Sequence, residues 1–232
     1  MHTFVCHKMN SKATTTEENY LKALFSLANE NEEVSVSDLS QALSVSNPTT
    51  NSMVKRLSEK GWVAYKKYRP IKITKEGLSL AASIIRKHRL TEMYLVEKMG
   101  FGWEEVHEIA EQIEHIDSPA FFKRMDEILG APITDPHGSP IPDKNGKIHR
   151  HNYNHLSSMK KGQRVVVKGL NDSSKEFLEY LNSKGLELGS ILDIKEVEPF
   201  DKTMEIGTSE NKNMTLSTEA TKRLLVLPLN KR

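Results

Sequence analysis

Apolar positions recur every three to four residues near the start of the chain, where Tyr20, Leu21, Leu24, Phe25, Leu27 and Ala28 form a broad stripe. That period predicts an amphipathic helix over Thr14–Asn29, with Thr16 as its N-cap. A shorter stripe predicts a second helix over Val36–Leu43, capped by Ser35 or Ser37. After a tight turn at Ser44-Val45-Ser46, a third helix opens at Asn47-Pro48 and runs to about Lys60. Proline suits a first helical turn because its missing N–H has no intrahelical partner there, and Gly61 stops the helix. The period then shortens. Trp62–Tyr65 and Ile71–Thr74 read as two strands joined by Lys66-Lys-Tyr-Arg-Pro70, a basic hairpin or wing. Helical spacing returns over Leu78–Met99, again from Trp103, and over Ser118–Leu129, where Ser118-Pro119 marks a start.

Residues 131–157 break the pattern. Pro132, Pro136, Pro140 and Pro142, with Gly138 and Gly146, predict a connector rather than a packed element. Beyond it, Val165–Val167, Ile191–Val197, Met204–Ile206, Met214–Leu216 and Leu224–Leu227 read as strands, and Phe177–Lys184 as a short helix ended by Gly185. The expected fold is mainly α with a small β domain. A winged helix-turn-helix occupies 1–76, a helical domain 77–142, a linker 143–156 and an SH3-like barrel 157–232.

Composition narrows the class. With 37% hydrophobic and 28% charged residues in 232, the chain is expected to be soluble and folded. It has no apolar run near the roughly 18–20 residues that cross a bilayer, and residues 1–8 carry no signal-like apolar region. No membrane association and a cytoplasmic location are therefore expected. The single Cys6 excludes an intramolecular disulfide and a cysteine-based zinc module; His2, Cys6 and His7 read as stray donors on a frayed tail.

The net charge of +2 hides an asymmetry. Lys55, Arg56, Lys60, Lys66, Lys67, Arg69, Lys72 and Lys75 crowd a segment whose only acids after Val34 are Asp38 and Glu59, whereas over residues 76–130 acids outnumber bases. A polyanion at the first module and a cation at the second would fit. In a helix-turn-helix the second helix presents its N-terminal residues to base edges; here these are Ser46, Asn47, Pro48, Thr49, Thr50, Asn51 and Ser52. Lys55 and Arg56 suit backbone phosphates, and the wing cations Lys66, Lys67 and Arg69 a flanking groove or strand. Such folds also serve protein contacts, and polar residues opening a helix are ordinary caps; the charge asymmetry favours DNA.

The acidic module carries the chemistry. If residues 104–116 are helical, His107, Glu111, Glu114 and His115 lie within an arc of roughly 100°, with Ile109, Ile113 and Ile116 opposite. His88 and Glu92, four residues apart, share a face of the preceding helix. Singly, such pairs are usually surface ion pairs. Two matched sets on consecutive helices suit a borderline divalent transition metal: His88, Glu92 and His107 at one site, Glu111, Glu114 and His115 at another. The rival is a di-iron carboxylate enzyme built on Glu104-x-x-His107, but no second copy of that motif stands on a matching helix.

From Thr15 onward the chain resembles the diphtheria-toxin-repressor and manganese-transport-regulator group of metal-dependent transcriptional repressors. The resemblance is carried by Thr16-Glu-Glu-Asn-Tyr-Leu21, Asn47-Pro-Thr49, Arg86-Lys-His-Arg-Leu90, Glu114-His115 and Pro136-His-Gly-Ser-Pro-Ile-Pro142. It implies a homodimer joined through the helical domain, a ferrous-iron-transport-protein-A-like C-terminal domain and binding to a pseudo-palindromic duplex operator upstream of metal-uptake genes. It implies an ancillary metal site of His88, Glu92 and His107, and a primary site of Glu111, Glu114, His115 and Asn19. Glu176 is a nominee from the C-terminal domain. Glu111 stands where the iron-responsive branch has cysteine, and oxygen-rich ligation points to Mn2+, with Fe2+ the alternative. No catalytic activity is expected.

Overall fold

The computed structural model describes residues 12–28, 33–67, 69–149, 152–208 and 213–229. His2, Cys6, His7 and the expected helix end at Asn29 lie outside them. The chain divides into two compact units, Met1–Ile85 and Arg86–Arg232.

The first unit contains α1 (Thr15–Leu27), β1 (Glu33–Val34), α2 (Val36–Ala42), α3 (Asn47–Glu59), β2 (Val63–Ala64), β3 (Ile71–Ile73) and the start of α4 (Lys75–Met99). The N-cap of α1 is Thr14, not Thr16. Thr14 Oγ1 accepts from the Glu17 amide while Glu17 Oε2 accepts from the Thr14 amide. A start at Thr16 would put Asn19 at the third helical position, whereas the Thr14 frame puts Glu17 there and closes the reciprocal box. Antiparallel β1, β3 and β2 form a small sheet in that order, pairing Val34 with Ile71 and Val63 with Ile73. Strand β1 was not anticipated; two residues are too few for alternation to show. Tyr20, Leu24, Leu39, Val54, Leu57 and Ile71 close the core between the helices and this sheet.

Glu17 sets α1 against α3. Its fully buried carboxylate meets Arg56 Nε at 2.8 Å and Lys60 Nζ at 2.7 Å. Burial pushes this carboxyl up, but the Lys60 hydrogen bond, the Thr14 amide and the Lys60 and Arg56 charges hold it below its ordinary value of 4.5.

In the second unit, α4 continues and is followed by α5 (Val106–Ile113) and α6 (Pro119–Ile128). The helix expected over 104–116 is shorter at both ends. One further bond, Glu114 N–H to Ala110 O, carries it past Ile113, and His115 lies beyond the last turn. Its buried positions are Val106, Ala110 and Glu114, whereas Ile116 is 43% exposed. Of the expected metal-facing edge, Glu114 is thus at the core beside Val106 and Ala110, whereas the His107 and Glu111 side chains are 58% and 41% exposed.

The C-terminal elements are β4 (Asn154–His155), a 3-10 turn (Leu156–Ser158), β5 (Arg164–Leu170), α7 (Lys175–Lys184), β6 (Ile191–Val197), β7 (Met204–Thr208), β8 (Asn213–Leu216), α8 (Thr218–Arg223) and β9 (Leu224–Leu229). The sheet is antiparallel throughout, in the order β4-β9-β5-β6-β7-β8, and gives the expected SH3-like domain. Val165, Val167, Leu178, Leu181, Leu192 and Met204 are among its core residues. The short α8 has too few apolar positions for a period to register.

The connector departs most from expectation. Residues 134–142 are packed, with Asp135 and His137 each 3% exposed, although Ile133 just before them is 71% exposed. Thr134 pairs with Pro140, and Asp135 Oδ1 accepts from the amides of His137 and Ser139, both at 2.9 Å. Prolines cannot donate, but their carbonyls accept: Arg86 donates to Pro142 O at 2.7 Å and Arg89 to Pro140 O at 2.5 Å. At the apex Gly138 has φ +84°, and a Cβ there would sit 2.4 Å from the carbonyl oxygen of Lys168 on β5.

Gly138→Ala should therefore cost about 2–4 kcal/mol, combining left-handed strain with overpacking against backbone. The urea midpoint of the second unit would report it. Glu17→Gln should destabilise the first unit by roughly 2–3 kcal/mol, below the usual cost of orphaning a buried ion because Arg56 is half exposed. Because the native carboxyl titrates low, its contribution is complete above pH 4.5 and fades as pH falls through the depressed folded value. The variant's unfolding free energy should therefore vary less between pH 5 and 3 than that of the unaltered protein.

Candidate metal centre and nucleic-acid interface

Helix α4 runs unbroken from Lys75 to Met99, so His88 and Glu92 stack one turn apart, 7% and 3% exposed. Val106 and Ala110 bury one face of α5 beside them and bring in His107. Three donor atoms then converge. His88 Nε2 lies 2.9 Å from Glu92 Oε1 and 3.2 Å from His107 Nδ1, and His107 Nδ1 lies 3.3 Å from the same carboxylate oxygen.

The remaining ring nitrogens are held from outside. Glu114, fully buried, places Oε2 2.6 Å from His88 Nδ1. With a cation bound, this carboxylate would keep the proton on Nδ1 and leave the His88 Nε2 lone pair for the metal. Glu111 Oε1 stands 3.7 Å from His107 Nε2, and Glu114 Oε1 lies 3.5 Å from His115 Nε2.

The triangle fits a metal. Ligand atoms at about 2.1 Å from a cation are about 3.0–3.4 Å apart at octahedral or tetrahedral angles, the spacing seen here. Two imidazoles and a buried carboxylate suit a first-row divalent ion.

Among the described residues, three groups bring metal-type donors within 4.8 Å of one another: His88 with Glu92 and His107; His88 with Glu111 and Glu114; and Glu92 with Asp135 and His137. The first is the set expected at one site. The second contains Glu111 and Glu114 from the other expected set but His88 in place of His115, because α5 ends before His115 can point back along the same edge. Asn19 belongs to the first unit, where its Oδ1 is buried with no hydrogen-bond partner among the described residues. Glu176 is exposed in the first turn of α7 and belongs to none of these groups.

Asp135 and His137 are the residues that sequence reasoning missed as donors. The available signal is an acid and an imidazole flanking Pro136, whose fixed φ limits how far they can turn apart. The His137 ring stacks on Trp103 at 6.1 Å, and its Nε2–H donates to Trp103 O at 2.9 Å. That leaves Nδ1 facing Glu92 Oε2 at 3.8 Å. Trp103 Nε1–H in turn donates to Asn182 Oδ1 of α7 at 2.8 Å.

Charge in this centre is unevenly balanced. Burial drives Glu92 up, but hydrogen bonds from His107 and His88 and the charges of His88 and His137 hold it well below the usual carboxylate range. Asp135 moves the other way, raised by burial and then by the charge of Glu92, against His137 and Arg89. A bound cation would relieve both. The enzyme rival fares worse: Glu104 Oε2 accepts from Asn182 at 3.0 Å, whereas His107 faces Glu92.

In the first unit, Ser46 caps α3 and Pro48 lies in its first turn. Ser46, Asn47, Pro48, Thr49, Ser52, Lys55, Arg56, Lys66, Lys67 and Arg69 are exposed, Asn51 is half-buried, and Thr50 is fully buried, which removes it from base reading. Asn47 Oδ1 accepts from Ser40 Oγ at 2.5 Å, locking α2 to α3.

Residues 12–71 match the iron dependent repressor N-terminal DNA binding domain, residues 74–143 its metal binding and dimerisation domain, and residues 154–228 the FeoA domain. An iron-dependent repressor of Mycobacterium tuberculosis, IdeR, is 36% identical over 134 residues, which span 58% of this chain and 58% of that protein. Among solved structures, a manganese-dependent transcriptional repressor in complex with manganese is 30% identical with a TM-score of 0.83, over 92% of this chain and 100% of that one. The manganese regulator SloR is 28% identical with a TM-score of 0.72, over 92% and 98%. These relatives are named as repressors and a regulator, not enzymes.

Replacing Glu92 by Gln should weaken Mn2+ binding at least a hundredfold, since it removes a charge that two donor groups share and even outer partners are worth about ten- to a hundredfold. Glu111→Gln, at a side chain 41% exposed, should cost about tenfold or less. Equilibrium dialysis with Mn2+ distinguishes them.

Proposed function

The chain belongs to the iron-dependent repressor family, and from that premise we propose that it is a homodimeric, metal-activated repressor of metal-uptake genes, acting in the cytoplasm and responding to manganese. The observation that carries the reading is the triangle of His88 Nε2, Glu92 Oε1 and His107 Nδ1, in which His88 and Glu92 are buried and His107 closes the solvent side, in a chain that also bears an exposed cationic recognition helix. Manganese is favoured over iron because the donors are imidazole and carboxylate, with Glu111 beside them and no thiolate among the three groups. Ferrous iron is the second reading, since imidazole also suits it and one relative is named for iron.

The protein's own residues divide the work. His88, Glu92 and His107 hold one ion; Glu114 holds His88 Nδ1 and, with Glu111 and His115, is assigned to a second. The metal supplies a fixed positive charge that replaces proton-dependent pairing among these groups. It can favour DNA binding only by binding the DNA-competent state more tightly, and bound operator must then tighten metal binding by the same factor. Recognition of a pseudo-palindromic duplex falls to Ser46, Asn47, Pro48, Thr49 and Ser52, with Lys55, Arg56, Lys66, Lys67 and Arg69 on phosphates.

Duplexes selected from a randomised pool in the presence of Mn2+ provide the test. Affinity should be at least tenfold higher with Mn2+ than with chelator, and Fe2+ should be the weaker activator. Equal affinity under all three conditions would remove the metal-sensing reading; stronger activation by Fe2+ would transfer it to iron.

A further inference from the structure

Resting on the DNA reading, we infer that Tyr65 is a positioning residue that braces the wing against the recognition helix through Asn51, holding apart the walls of a groove that takes one strand's phosphate backbone. Tyr65 follows β2 at the base of the wing, and its hydroxyl lies 2.6 Å from Asn51 Oδ1 on α3. Asn51 Nδ2 lies 3.0 Å from the backbone oxygen of Asn47. A carbonyl only accepts, so the amide nitrogen must face Asn47 and the amide oxygen must accept from Tyr65. The orientation is unambiguous. One N–H and the oxygen of the Asn51 amide are thereby engaged inside the protein, which fixes the side chain between α3 and the base of the wing.

Asn51 is therefore a strut, although its place in the recognition helix suggested a base reader. The pair lies in a groove of about 680 Å3 between α3 and the wing, bordered by Lys55 on one side and Lys67 and Arg69 on the other. Three cations around one trough match a polyanionic strand, and the trough's width depends on a wing tied to α3 at Tyr65. The wing strands β2 and β3 are two and three residues long, too short to hold those cations in place alone.

Tyr65→Phe deletes the bridge and no charge. With duplexes selected by the unaltered protein in Mn2+, affinity should fall about three- to tenfold, the worth of one hydrogen bond. The slope of log affinity against log salt should also flatten by about one to two, as Lys67 and Arg69 lose their phosphates. Asn51→Ala should do the same, and the double variant should add nothing further. A mere loss of folded protein would lower affinity but leave the slope unchanged, so an unchanged slope, or additive losses, would overturn the assignment. Amide exchange in the wing, measured without DNA, should be faster in Tyr65→Phe; unchanged exchange would also overturn it. If the unaltered protein bound duplex with no salt dependence while exchange still accelerated, the DNA reading would fail and the brace would stand without that purpose.

Discussion

A carboxylate that is almost wholly removed from water must be matched by positive charge, and Glu92 imposes that requirement on the second unit. Its two oxygens face three imidazoles, His88 and His107 on one side and His137 on the other. Those rings come from α4, from α5 and from the proline-rich connector, so the packing of all three is subordinate to a single charge. Arg89 and Asp135 extend the arrangement, and the Trp103–Asn182 hydrogen bond links its edge to α7. Protons can balance such a cluster, but a divalent ion does so with fewer adjustable parts and without dependence on imidazole protonation near neutral pH.

The first unit solves a similar problem in a different way. Glu17 is as buried as Glu92, yet its counter-charges are Lys60 and Arg56, which are permanently cationic at neutral pH. That pairing stiffens the seat of the recognition helix and needs no ligand. The contrast is informative: where a buried acid must be a constant, the chain uses lysine and arginine, and where it can respond, it uses histidine. Asn47 with Ser40 and Asn51 with Tyr65 add neutral braces at the opposite end of α3. The recognition helix is thus held at both ends before any DNA is present.

Much of the fold is legible in one dimension. Helix α3 with its proline start, α6 after Ser118, and β6 over Ile191–Val197 follow from period and punctuation, because those signals depend on neighbours three or four residues away. The ends of α1 and α5 are less legible. The choice of Thr14 over Thr16 turns on a reciprocal hydrogen bond with Glu17, and the end of α5 near Ile113 turns on how its small residues pack. In the candidate centre, His88, Glu92 and His107 show themselves through helical spacing on two adjoining helices. Asp135 and His137 do not, because nothing local distinguishes a proline-rich linker from a proline-rich segment whose carbonyls are captured by Arg86 and Arg89.

Local pattern is enough to specify the elements, the charge division between a basic module and an acidic one, and which side chains could bind a cation. It cannot specify which of those side chains meet. That His88 shares its two nitrogens between Glu92 and Glu114, that His115 falls outside the converging groups, and that Asn51 is spent on Tyr65 are outcomes of packing. Periodicity reports the direction in which a residue faces from its own helix. Distances of a few ångströms between elements depend on how far their small residues let the backbones approach, and that information is spread across the whole chain.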